Sequence, residues 1–253
     1  MRQTTRILLL HKLTSRGATR PTALLERLCK IVPDLGLRFG TLAEALLDPG
    51  TVALTVDDGY AELLEIEPWL RGQGIIPTIF LPTGYLGKTN SWDHPFAAAR
   101  KHLSAAEVQE LAERGFNFGS HTHTHADLTA LSTDAVEREL RDSTGYLRHL
   151  LGTPPEYFAY PFGRYDARAA SIAAALGYSC AFLATPGGSN AFAIGRIPLG
   201  SWDTALTMRA KLQHSWLTPI ENFKCQVISA FSHLTPAVKG LSKKRRTPIP
   251  KAE

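Results

Sequence analysis

Apolar residues along the chain fall into short runs that alternate with longer stretches of helical spacing. Residues 6–10, "RILLL", read as a short buried strand. "TALLERLCKIV" (22–32) follows Pro21 and repeats its apolar positions at helical intervals. "TVALTVDD" (51–58) is a strand, and "AELLEIEPWLRGQG" (61–74) is a helix that Pro68 should kink and glycines should stop. "IIPTIFLPTGYL" (75–86) is strand-like again. "SAAEVQELAERG" (104–115) opens on a capping box, Ser104 with Glu107, and closes on Gly115. The sequence then predicts a strand at 116–121, a long helix at 132–152, strands at 157–161 and 178–185 around a helix at 167–177, and a short strand within 193–201. Stretches 20–50 (beyond the first helix) and 85–103 are less regular. Strands alternating with helices at this rhythm mean parallel strands joined by helical crossovers. No GxGxxG follows a strand, so closure into a barrel is the more natural expectation than a dinucleotide-binding sheet.

Composition narrows the class. The 253 residues suffice for one large core without disulfide staples. Three cysteines, Cys29, Cys180 and Cys225, are odd in number and widely spaced, with no CxxC pair, which favours a reducing compartment. "MRQTTRILLLHKL" has too short an apolar core for a signal peptide, and no window approaches the roughly 20 apolar residues of a membrane span. The expectation is a cytoplasmic protein. The net charge is +5, and residues 239–253, with six Lys/Arg and one Glu, carry all of it. The rest of the chain is neutral, so no nucleic-acid groove is expected on the fold. Residues 216–238 are expected to form an amphipathic helix with Phe223, Val227, Phe231 and Leu234 in one stripe, and 239–253 a basic disordered tail. Residues 219–246 could therefore contact the inner face of an anionic membrane, although packing of the stripe on the barrel is the stronger expectation.

Three motifs fall where strands end, the place where function collects in parallel α/β folds. They are Asp57-Asp58-Gly59, "GSHTHTHADL" (119–128) and "FAYPFGRYD" (158–166). His121 and His125 are four apart, so one helical turn would put both imidazoles on one side. Asp58 from another strand end would complete a three-ligand metal site with open positions. Two adjacent carboxylates then make sense: one ligates a cation that offsets its charge, and the other stays ionised as a base. An isolated HxxxH pair or DDG turn is more often structural than catalytic; their conjunction on strand ends is the specific signal. His123 is assigned no direct role.

"LTVDDGY", "SHTHTH" and "YPFGRYD", in that order, resemble the polysaccharide deacetylase family, the NodB-homology group of carbohydrate esterase family four, over about residues 5–203. The resemblance implies a distorted (β/α) barrel of about seven parallel strands spanning 1–215, and one divalent metal ion, commonly zinc. It implies removal of an acetyl group from an N-acetylated sugar in an oligosaccharide, polysaccharide or lipid-linked precursor of cell-envelope glycan. Carried onto this chain, Asp57 is the general base, Asp58, His121 and His125 are the metal ligands, and the Phe162 N–H lies in the oxyanion hole. His11, at the end of the first strand, resembles the acid histidine of members such as poly-N-acetylglucosamine deacetylases; His233 is the rival. Many relatives carry an Arg that orients the base where this chain has Ala159, leaving Arg196 or Arg164 as substitutes. Tyr60, Trp92 with Asp93, Tyr160 and Arg196 are the candidates for contact with the sugar. The alternatives are an O-acetyl esterase on the same fold and a non-catalytic carbohydrate-binding member.

Overall fold

The computed structural model of the chain describes residues 5–11, 13, 21–90, 99–188 and 190–213. Trp92, Asp93, Cys225, His233 and the expected 216–238 helix and 239–253 tail lie outside the described residues.

Among the described residues, eight strands form one sheet, and every pairing between these strands is parallel. They are β1 (Arg6–Leu10), β2 (Arg38–Gly40), β3 (Thr51–Asp57), β4 (Thr78–Leu81), β5 (Asn117–Ser120), β6 (Tyr157–Ala159), β7 (Cys180–Phe182) and β8 (Ile197–Pro198). The order is β7-β6-β5-β4-β3-β1-β8, with β2 on β3 beside this path. Because β1 pairs along 52–56 of β3, β2 (opposite 51–53) and β4 (opposite 55–57) share the other edge in tandem. The ends of the sheet approach each other: Phe182 bridges Ile194, and the Leu183 N–H donates to the Ile194 carbonyl at 2.8 Å. The result is the distorted barrel of seven principal strands that the sequence reading expects.

The helices are α1 (Ala23–Asp34), α2 (Leu42–Leu47), α3 (Leu63–Gly72), α4 (Ala105–Glu113), α5 (Thr133–Leu151), α6 (Ala167–Ala175) and α7 (Ala205–Gln213). Local chemistry sets their ends. The Ser104–Glu107 capping box opens α4 as predicted, and a second box, Thr41 with Glu44, opens α2. Ser132 caps α5, which stops where Gly152 adopts a left-handed φ of 77°. Pro68 lies inside α3, which continues through it to Gly72. None of the helices among the described residues is long and apolar enough to cross a membrane.

Two packing layers explain why β3 is buried along its whole length and β1 from Ile7 onward. Leu8, Leu10, Val52, Leu54 and Val56 pack in the large cluster with Leu25, Leu28 and Ile66 of the helices. The alternate residues Ile7 and Ala53 join Phe80, Ala159 and Phe182 in a smaller cluster inside the sheet's curve. β1, buried on both faces, therefore shows no polar alternation past Arg6. On the inner face, the period of two carries Ala53, Thr55 and Asp57 in succession toward the site.

Candidate active site

The strand ends bring the three motifs together. β3 ends on Asp57, whose side chain continues the inner face and is 2 % exposed. Asp58 breaks the alternation: its φ of 72° turns the chain so that its carboxylate faces the β5 motif rather than the helix layer. Gly59 completes the turn at φ 58°, where an added Cβ would stand 2.3 Å from Leu81 Cδ2, so only glycine fits.

Asp58 Oδ1 lies 3.4 Å from His125 Nε2 and 3.9 Å from His121 Nε2. The candidate ligand atoms of Asp58, His121 and His125 are all within 4.8 Å of one another, and all three residues are buried. They reach this arrangement by a route other than the helical turn expected from the HxxxH spacing. Residues 121–127 form a loop, and Thr122 and His125 have positive φ values of 66° and 56°. That is a correction to the sequence reading: two left-handed residues, not one turn of helix, converge the imidazoles. Among the described residues, the non-glycine positions with positive φ are Asp58, Thr122, His125 and Phe162, and all belong to these motifs. Such backbone is held only where the surroundings over-determine it.

The surroundings are identifiable. His121 Nδ1 donates to the Ala159 carbonyl at 2.7 Å, which directs Nε2 toward Asp58. Burial holds the His121 pKa down at about 4, against the opposing pull of Asp57 and the Ala159 hydrogen bond, so the ring is neutral. Glu139, on α5, accepts from the backbone N–H groups of His123 (3.0 Å) and Thr124 (2.7 Å) and from the Thr124 hydroxyl (2.6 Å). Thr83 and Gly84 donate to the carbonyls of Thr122 and His123. His123 itself places Nδ1 2.9 Å from Thr83 Oγ1, away from any ligand role. Glu139 was not singled out by the sequence reading; a lone Glu on a helix carries no local mark of such a contact.

Asp57 has a different environment. Arg196 binds it through two hydrogen bonds of 2.7 Å, Nη1 to Oδ1 and Nη2 to Oδ2. Arg196 also donates to Thr55 Oγ1 and to the Leu183 carbonyl, so it ties the seam of the sheet to β3. Burial alone would raise the Asp57 pKa. The charge of Arg196, the neighbouring His121 and His11, and the Arg196 hydrogen bonds together bring it down to about 2. The guanidinium absent at Ala159 is thus supplied from just before β8. Arg164, the other candidate, pairs with Asp127.

His11 directly follows β1, is exposed, and acts electrostatically on both Asp57 and His121. Leu10 is in register with Val56, so the next residue of each strand brings His11 level with Asp57. Phe162 has φ 59° and sets its ring edge-on against His125, centroids 4.7 Å apart. The turn's own hydrogen bonds run from Gly163 to Tyr160 and from Arg164 to Pro161, leaving the Phe162 N–H outside them.

Of the expected sugar contacts, Tyr60, Tyr160 and Arg196 are all buried. Tyr160 is fully buried and its hydroxyl donates to the Phe192 carbonyl. Tyr60 is buried with its hydroxyl accepting from Asn90, and Arg196 is committed to Asp57.

Comparison with known proteins decides the family. The polysaccharide deacetylase profile matches residues 46–181, more than half of the chain. The chain belongs to the polysaccharide deacetylase family. It is 27% identical to YxkH of Bacillus subtilis over 194 residues, 73% of this chain and 66% of YxkH. It is 30% identical to a chitin deacetylase of Pestalotiopsis over 140 residues, 55% of this chain and 43% of that one. The matched regions thus span about two thirds of one relative and less than half of the other. Among solved structures, IcaB from Ammonifex degensii superposes with a TM-score of 0.67 at 24% identity, covering 82% of this chain and 96% of IcaB. The Streptococcus pyogenes deacetylase PplD, in complex with acetate, gives 0.66 at 23% identity, covering 81% and 96%. These two likenesses establish the fold.

Proposed function

We propose that this polysaccharide deacetylase family member is a metal-dependent hydrolase that removes an acetyl group from an N-acetylated sugar of a glycan or glycan precursor. The observation that carries the reading is the division of labour between adjacent aspartates: Asp57 is locked onto Arg196, while Asp58 faces two histidines. A structural turn has no use for that difference.

The donor set fits a divalent cation. Two imidazoles and one carboxylate, buried and mutually within 4.8 Å, match the three-ligand pattern of catalytic zinc sites. The neutral His121 ring, with its tautomer set by Ala159, is in the form a ligand needs. Bound there, the cation would act as a Lewis acid toward the acetyl carbonyl and the attacking water.

The remaining chemistry belongs to the chain. Asp57 stays ionised at neutral pH and accepts the proton of the attacking water as the new C–O bond forms. Arg196 keeps that carboxylate oriented and prevents it from turning to join Asp58. The Phe162 N–H donates to the oxygen of the acetyl group as negative charge develops on it. His11 gives a proton to the sugar nitrogen as the C–N bond breaks, releasing acetate and a free amine. The chitin deacetylases among the relatives support an N-acetyl sugar as the substrate class.

The test is acetate and amine release from N-acetylglucosamine oligomers by the full chain, with and without chelator, beside O-acetylated sugars. Equal yields of acetate and amine, lost with chelator, are expected; release from O-acetyl esters alone would overturn the N-acetyl assignment.

A further inference from the structure

We propose that His102 is a positioning residue that holds the Asp58 backbone in the left-handed conformation on which the cation site depends. The inference rests on the reading of Asp58 as a cation ligand. His102 is fully buried, 44 residues from Asp58 in sequence, and its Nδ1 donates to the Asp58 carbonyl at 2.6 Å. An aspartate at φ 72° is in a sparsely populated region that persists only where the surrounding structure over-determines it. In the extended alternative, the Asp58 peptide would rotate and its carbonyl would leave His102. The hydrogen bond is therefore specific to the backbone state that aims the carboxylate at His121 and His125.

His102 can select that state because its own position is fixed on several sides. It forms an antiparallel bridge with Tyr60, the second residue after Asp58. The Leu103 N–H donates to the Gly59 carbonyl and the Ala61 N–H to the Lys101 carbonyl, both at 2.9 Å. Residues 101–103 are thus a strap across the Asp58–Ala61 turn. The imidazole packs against Tyr60 and Tyr85, with centroids 4.9 and 5.7 Å away, which fixes the ring's plane. Arg100, just before the strap, lies over the ring of Tyr60 and pairs with Glu62. The arrangement parallels that of His121, whose Nδ1 is directed by a carbonyl; at His102 the imidazole directs the carbonyl's own residue.

Two substitutions separate the donor from the ring. His102→Phe keeps the aromatic packing and removes the hydrogen bond. His102→Asn removes the ring and keeps an N–H donor near the Nδ1 position. Zinc affinity of the full chain is measured by competition with a chromogenic chelator, and folding of the metal-free proteins by circular dichroism. The expected result is a loss of about 10–100-fold for His102→Phe, typical of groups that orient a ligand, with His102→Asn within a few fold of wild type. If His102→Phe fails to fold, wild-type-like affinity of His102→Asn still supports the donor role. Folded His102→Phe with undiminished affinity, or His102→Asn with a loss of 10-fold or more, would overturn it. Wild-type protein that takes up no zinc would instead overturn the cation-site reading on which it rests.

Discussion

Arg196 and Asp57, 139 residues apart, meet through two parallel hydrogen bonds of 2.7 Å with the arginine fully buried. The pair joins the last strand region to the third, and it sets one of two adjacent carboxylates apart from the other. Buried ion pairs of this kind are strongly destabilising to break, because one charge is left without its partner. Arg196→Met should cost about 3–5 kcal/mol in chemical denaturation. Adding Asp57→Asn to it should recover part of that loss, a coupling read directly from the double-mutant cycle.

Asp57→Asn alone should leave cation uptake intact while acetate release falls by about 10²–10⁴-fold, the usual contribution of a general base. Elemental analysis beside a turnover assay separates the two effects. His11→Ala should follow the same pattern, with cation retained and rate lost, since His11 influences Asp57 and His121 from the exposed end of β1.

Glu139 gathers two backbone N–H groups and one hydroxyl of the 121–125 loop. Glu139→Ala should therefore weaken zinc binding by about 10-fold or more without unfolding α5. Isothermal titration gives the affinity, and far-ultraviolet circular dichroism the helix content.

Cation binding to the folded state alone should raise thermal stability. At 100 times the dissociation constant the gain is about 2.7 kcal/mol, visible as an upward shift in melting temperature that chelator reverses. Asp58→Ala and His125→Ala should show no such shift.

What the sequence disclosed follows the range of the forces involved. Capping chemistry is local, so Ser104, Glu107 and Gly152 marked their helix ends directly. The same rule operates at Thr41 and Glu44, which open α2 inside a stretch whose hydrophobic pattern is irregular. β2 has only three residues, Arg38–Gly40, and α7 lacks a clean apolar stripe, so neither announces itself. The motif residues Asp57, Asp58, His121 and His125 were legible because strand ends concentrate chemistry. Of their supports, Arg196 could be named as a candidate only through the family resemblance, with Arg164 beside it, while Glu139 and His102, acting across 16 and 44 residues, leave no mark in any periodicity. The helical expectation for HxxxH failed because spacing alone cannot distinguish a turn of helix from a loop with Thr122 and His125 at positive φ. Tyr60 and Tyr160, the aromatic residues beside the motifs, are both buried, a fact that sequence position does not record.

The central claim is the separation of roles between Asp57 and Asp58. Anomalous diffraction from crystals of the full chain loaded with zinc tests it most directly. One peak bonded to Asp58, His121 and His125, with the Asp57 carboxylate still on Arg196, is the predicted result. No peak among these residues, or Asp57 drawn off Arg196 to become a ligand, would contradict the account.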